Sequence, residues 1–154
     1  FSPSGRNFPE NVESKPLDDL IAASDILVLC CPLKPETRGL IDARRLALLK
    51  RGSILINVSR GPVVEEAALI EALRNGHLCG AALDVFNTQP LPSDHAFFSF
   101  NNVIITPHMA GITEESMARM GTGAIAEALR VLRSELPVNL VNPDVVAAYR
   151  KRFG

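Results

Sequence analysis

Arg60 closes the run Gly52-Ser53-Ile54-Leu55-Ile56-Asn57-Val58-Ser59-Arg60-Gly61, in which consecutive apolar residues give way abruptly to polar, charged and flexible ones. A guanidinium is planar and always charged, and it grips a carboxylate through two parallel hydrogen bonds, fixing orientation as well as attracting charge. Two further residues of chemical interest stand at or near the ends of apolar runs. Asp84 lies near the end of Leu78 to Val85, and His108 follows Val103-Ile104-Ile105-Thr106-Pro107. Imidazole is suited to proton exchange near neutral pH. Taken singly, each residue has a plainer reading as well: Arg60 as an arginine of a surface loop, Asp84 as a strand-end acid, His108 as a loop histidine satisfied by its neighbours.

What brings them together is the alternation of elements around them. Leu17 to Ser24 has helical spacing with Asp18 and Asp19 in its first turn, and Ile26 to Cys30 is a continuous apolar run ended by Pro32. A Pro-containing loop covers Leu33 to Leu40, and Asp42 is an N-cap for a helix carrying Leu46, Leu48 and Leu49. After the central run, Glu65 and Glu66 open a helix through Leu69, Ile70 and Leu73 that stops at Asn75-Gly76. Leu78 to Val85 reads as another strand, Asn87 to Asn102 as a long connection with Pro90 and Pro92, and Val103 to Thr106 as a short strand. Consecutive rather than alternating apolar residues suit strands covered on both faces, so the pattern predicts a parallel sheet with helices on both faces. In such sheets ligands bind beyond the carboxyl ends of the strands, and right-handed crossovers bring those ends to one edge. Cys31-Pro32, Val58-Ser59-Arg60, Asp84 and Pro107-His108 would then share a crevice. Beyond it, Thr113 to Arg133 reads as one long helix with many small residues, Leu136 to Pro143 as an extended tail, and Asp144 to Phe153 as a short terminal helix.

Bulk composition narrows the class. The 154 residues are 47% hydrophobic and 21% charged with a formal charge of -1, the composition of one globular domain with at most an appendage. Lys and Arg are spread along the chain, which points to a small-molecule partner and away from nucleic acid or an anionic membrane. Cys30, Cys31 and Cys79 are odd in number, sit in apolar surroundings and form no Cys-x-x-Cys pair. They read as buried thiols of a reducing compartment, with no metal site, and the cytoplasm is the default location. Phe1 comes first, and Ser2-Pro3-Ser4-Gly5-Arg6 resembles the loop after a strand whose beginning is missing, so the chain is expected to start mid-fold.

Long, ordered segments carry a family resemblance. They are Leu20 to Leu33 with Glu36 to Ile41, then Asn57-Val58-Ser59-Arg60-Gly61, Leu83-Asp84-Val85-Phe86 and Thr106-Pro107-His108-Met109-Ala110-Gly111. Together they resemble the NAD-binding domain of the D-isomer-specific 2-hydroxyacid dehydrogenases, the family of phosphoglycerate, glycerate and D-lactate dehydrogenases. The resemblance implies a partial doubly wound, Rossmann-like α/β sheet over residues 1–112, and a crossover helix and tail over 113–154 that would pack on a missing substrate domain. It implies a homodimeric oxidoreductase using NAD or NADP to interconvert a D-2-hydroxy acid and its 2-oxo acid. Arg60 would bind the substrate carboxylate and His108 would exchange a proton with the substrate oxygen. Cys31, Pro32, Val58 and Ser59 would line the cofactor cleft, Asp84 would approach the nicotinamide amide, and Ala110-Gly111 would let backbone pass close to the ring.

Four departures qualify the match. The glycine-rich phosphate turn, the first strand and helix and the bulk of the substrate domain are absent, so the chain holds only half a cofactor site. Ser2 stands where NAD-preferring relatives place an acid for the adenosine ribose, and Arg6 follows, which leaves NADP open. Cys30 replaces a usual histidine. Gln89 stands where most relatives have a glutamate that pairs with the catalytic histidine, and this glutamine resembles the formate dehydrogenase branch, which keeps formate as an alternative substrate. A nucleotide-sensing, corepressor-like interaction module is the alternative of a different class.

Overall fold

The computed structural model describes residue 1 and residues 9–153, so Ser2 and Arg6 lie outside the described residues. The chain forms two compact units, residues 1–110 and 111–154. In the first, α1 (Leu17–Ala23), β1 (Ile26–Leu29), α2 (Ala43–Leu48), β2 (Ser53–Asn57), α3 (Glu66–Arg74), β3 (Leu78–Leu83) and β4 (Val103–Ile105) follow one another. All four strands pair in parallel in the order β1-β2-β3-β4, a Rossmann-like α/β sheet. The register sets Leu29 beside Asn57, Asn57 beside Leu83 and Leu83 beside Ile105. The segments that follow each strand therefore leave the sheet at one edge.

Local chemistry fixes the helix ends. Asp42 Oδ1 accepts from Arg45 N–H at 2.8 Å and caps α2. Gly76 follows α3 at φ +68°, a left-handed turn that glycine enters without a Cβ penalty. Asp18 of α1 accepts from both Arg44 and Arg45 of α2, which lowers its pKa to about 2 and links neighbouring helices. The core lies between these helices and the sheet, and Ile21, Ile41, Leu46, Leu55, Leu69 and Leu78 are its most enclosed large side chains.

The helix layer differs from the expected one. Helices α1, α2 and α3 pack in sequence against one another on the face that carries Leu27, Leu29, Leu55 and Leu83. On the opposite face Ile26, Val28 and Ile104 are 55%, 50% and 67% exposed. Sequential strand order with a constant crossover hand puts every connection on the same side. The cysteines are also not the buried thiols expected. Cys30 and Cys79 are exposed and Cys31 is half-buried, because Cys30 continues the outward alternation of Ile26 and Val28, and Cys79 sits at the register shift between β2 and β3.

The second unit holds α4 (Glu114–Leu132) and α5 (Val146–Phe153). Thr113 and Ser116 cap α4 reciprocally, each hydroxyl accepting from the other's N–H at 3.1 and 2.9 Å. Glu127 on α4 accepts from Val138 N–H and from the Asn139 side chain, which folds the tail back along the helix. Among the described residues no helix is long and apolar enough to cross a membrane, and no group of three or more His, Cys, Asp or Glu side chains is placed to hold a metal ion.

Candidate active site

Three segments at the carboxyl edge of the sheet build the site. The first is the turn after β2. Asn57, its last residue, is 2% exposed, and Oδ1 accepts from the Ser59 N–H at 3.0 Å and the Ser59 hydroxyl at 2.8 Å. Its Nδ2 donates to the Arg60 carbonyl at 3.1 Å, so one amide side chain fixes Ser59 and Arg60 together. Arg60 is exposed, its Nη1 donates to the Ser59 carbonyl at 2.6 Å, and among the described residues no carboxylate pairs with it. Gly61 follows, and a Cβ there would lie 2.1 Å from the Phe86 carbonyl carbon and 2.5 Å from Asn87 N. Only glycine lets the Arg60 turn lie against the segment after β3.

That second segment carries Asp84, 3% exposed. Its Oδ1 accepts from the Thr106 hydroxyl at 2.5 Å and from Met109 N–H at 2.8 Å, and its Oδ2 accepts from Ala110 N–H at 2.9 Å. Burial pushes its pKa up, but the hydrogen bonds from Thr106, Ala110 and Met109 and the nearby His108 outweigh burial and hold it below the ordinary aspartate range. The third segment is the turn these bonds enclose. His108 stands there at φ +58°, a left-handed conformation that costs a non-glycine residue about 1 kcal/mol or more and persists only where surroundings impose it. Asp84 imposes it by holding the Thr106 hydroxyl before the residue and the Met109 and Ala110 N–H groups after it.

His108 is exposed, and its Nδ1 lies 3.2 Å from Gln89 Oε1. An amide oxygen only accepts, so Nδ1 carries a hydrogen and Nε2 is the nitrogen left to exchange a proton. An apolar cavity of about 320 Å³ opens beside the pair, lined by Phe86, Leu91, Phe98 and Ile105 together with Gln89 and His108 themselves. A roomier groove of about 680 Å³ between α2 and α3 is walled by alanines and polar side chains and contains none of these residues.

The structure thus places Arg60, Asp84, Gln89 and His108 at one edge, with Pro32 and Val58 exposed and Cys31 half-buried beside the ends of β1 and β2. Burial pushes the Cys31 thiol pKa up, so it is a poor nucleophile there. Ser59 is buried and its hydroxyl is engaged by Asn57, which makes it a part of the turn and not a free cleft donor. Ala110 is exposed and Gly111 begins the second unit, where its carbonyl accepts from Ser116. Asn57, Gly61 and Thr106 have positioning roles that sequence reasoning left unassigned. An asparagine two residues before a serine at a strand end is the available signal for the first, whereas the other two depend on contacts across strands.

Residues 2–110 match the D-isomer specific 2-hydroxyacid dehydrogenase, NAD binding domain, family. A glyoxylate reductase of Thermofilum pendens is 44% identical over 136 residues, covering 88% of this chain and 40% of that protein. A hydroxypyruvate reductase of Blautia hydrogenotrophica is 39% identical over 133 residues, covering 86% of this chain and 41% of its own length. The chain thus spans about two fifths of the length of these curated relatives. Among solved structures, the D-isomer specific 2-hydroxyacid dehydrogenase of Xanthobacter autotrophicus Py2, in complex with NADPH and MES, is 46% identical at a TM-score of 0.70, covering 83% of this chain and 52% of that one. With the family matched over most of the chain and the same sheet found in its solved members, this protein belongs to the D-isomer specific 2-hydroxyacid dehydrogenases, residues 2–110 matching their NAD-binding domain.

Proposed function

We propose that the protein carrying this chain reduces small 2-oxo acids, of the size of glyoxylate and hydroxypyruvate, to the 2-hydroxy acids, of D configuration where the product carbon is chiral, with NADH or NADPH. The observation that carries this reading is the Gln89-braced His108, held in a left-handed turn by Asp84, at the same sheet edge as an Arg60 that pairs with no carboxylate among the described residues. The edge fits the nicotinamide half of a cofactor, since Pro32 and Val58 present apolar surface there that a flat ring would cover. When bound, the reduced nicotinamide supplies a hydride to the substrate carbonyl carbon. Arg60 holds the substrate carboxylate through two parallel hydrogen bonds and so orients the adjacent carbonyl. His108 Nε2 gives its proton to the carbonyl oxygen as negative charge develops there, and Gln89 keeps the ring aligned through Nδ1. In the reverse direction neutral Nε2 takes the hydroxyl proton. Names of relatives support small substrates: the curated ones are a glyoxylate and a hydroxypyruvate reductase.

The test is oxidation of NADH and NADPH by the full-length protein with glyoxylate, hydroxypyruvate and its 3-phosphate, with the product's configuration assigned. Turnover of the first two is expected, with achiral glycolate from glyoxylate and the D isomer of glycerate from hydroxypyruvate. His108→Gln should lower kcat by about 10²- to 10⁴-fold, and Arg60→Lys should raise KM and lower kcat because a point charge replaces a fork. Full turnover in His108→Gln would overturn the assignment.

A further inference from the structure

The long connection between β3 and β4 presents Gln89 to His108, and a second histidine ties its middle to α3. His95 Nδ1 accepts from Phe97 N–H at 3.3 Å, so the ring hydrogen sits on Nε2, which points at Glu66 Oε1, 3.2 Å away. Both side chains are largely enclosed, at 17% and 27% exposure. The imidazole also packs against Phe97 in a tilted pair, 4.7 Å between centroids, and Phe97, 2% exposed, packs on Phe86. Glu66 is the first residue of α3, where the helix dipole favours a carboxylate, and it lies only six positions after Arg60.

The connection that holds Gln89 is therefore joined to the segment that holds Arg60 at two points. One is the backbone contact of Gly61 with Phe86 and Asn87, and the other is the His95–Glu66 pair. Between them, Asn57, Gly61, Glu66, Phe86 and Phe97 line a narrow cleft with about 10 Å³ of free volume.

We propose that His95 and Glu66 form a clamp that sets the spacing between Arg60 and the Gln89–His108 pair, making both positioning residues for the reduction. The inference rests on the roles given to Arg60 and His108 above. A 2-oxo acid carries its carboxylate and carbonyl on adjacent carbons, so the two groups that engage them must be held in fixed register, and an error of an ångström costs roughly a hundredfold in rate. Removing the clamp leaves both functional side chains present and lets their separation vary.

The variants that isolate it are Glu66→Ala, which removes the acceptor, Glu66→Gln, which keeps an acceptor oxygen at the same reach, and His95→Asn. Asparagine still accepts from Phe97 N–H as a cap but is too short for Glu66. In the full-length protein, Glu66→Ala and His95→Asn should lower kcat/KM for the oxo acid roughly ten- to a hundredfold, with KM for the reduced cofactor unchanged. Glu66→Gln should retain near-normal kinetics. On the 154-residue chain itself, nitrogen-15 spectra should show the His108 Nδ1 and Gln89 amide signals shifted in Glu66→Ala and restored in Glu66→Gln. A purely structural role would lower the melting temperature and leave kinetics below it, and those signals, unchanged. Wild-type kinetics in Glu66→Ala and His95→Asn, with His108→Gln still inactive, would overturn the clamp while sparing the catalytic reading. Full activity in His108→Gln would overturn that reading and the clamp's role with it.

Discussion

His108 illustrates how a single side chain acquires a function from its neighbours. Its ring faces the neutral amide of Gln89, which supplies a hydrogen bond without charge. Replacing that amide by a carboxylate favours the imidazolium, so Gln89→Glu should shift the high-pH limb of the reduction rate upward by on the order of one pH unit. Oxidation needs the neutral ring, and its acidic limb should move upward too, slowing it near neutrality. Paired profiles of kcat/KM against pH, one per direction, read both limbs, and limbs that stay put would show that the two side chains do not interact. Asp84 gives a stability prediction. Its folded pKa lies below the ordinary range, so its contribution is fully present above that range and is lost as pH falls through the depressed value. Asp84→Asn should therefore destabilise the chain at neutral pH and flatten the acid limb of its unfolding curve. Urea midpoints measured between pH 7 and pH 2 check this, and a variant as pH-dependent as the parent would remove Asp84 from the account.

At the scale of elements, the site is three turns locked to one another. Asn57 shapes the Arg60 turn from within, Asp84 shapes the His108 turn from the neighbouring strand, and Gly61 lets the first turn touch the segment after β3. Gly61→Ala puts a methyl group into the Phe86 backbone, and a fixed backbone cannot yield as a side chain does. The expected loss is about 1–3 kcal/mol or more, measured by urea unfolding, together with a higher KM for the oxo acid as Arg60 shifts. Unaltered stability would mean that the two segments part in solution. Much of this level was legible in advance. The helices from Leu17, Asp42 and Glu66 and the strands around Ile26, Ile54, Leu78 and Val103 carry period and capping signals of their own. The bond of His95 to Phe97 N–H is local, whereas its contact with Glu66 spans 29 positions and has no sequence signature.

Within the unit of residues 1–110, the helices α1, α2 and α3 dress one face of the sheet. Ile26, Val28 and Ile104 form an apolar surface, and such surfaces bind dyes and partners. The 154-residue chain alone should enhance the fluorescence of an anilinonaphthalene sulfonate probe and sediment as an associating species, and a dye-silent monomer would show that this face is covered in solution. The glycines of α4, Gly121 and Gly123, lie mid-helix and form no phosphate-binding turn. The sequence by itself determined the alternation of helix and strand, the common edge on which Arg60, Asp84 and His108 fall, and the family, because period, capping and ordered motifs are local properties of the chain. Only the tertiary structure decided that the three helices share one face, that Cys30 and Cys79 are exposed, and that Asp84 turns inward to hold the His108 turn. Those outcomes depend on which residues of other strands and turns come to lie alongside, and a linear pattern does not encode its neighbours across a sheet.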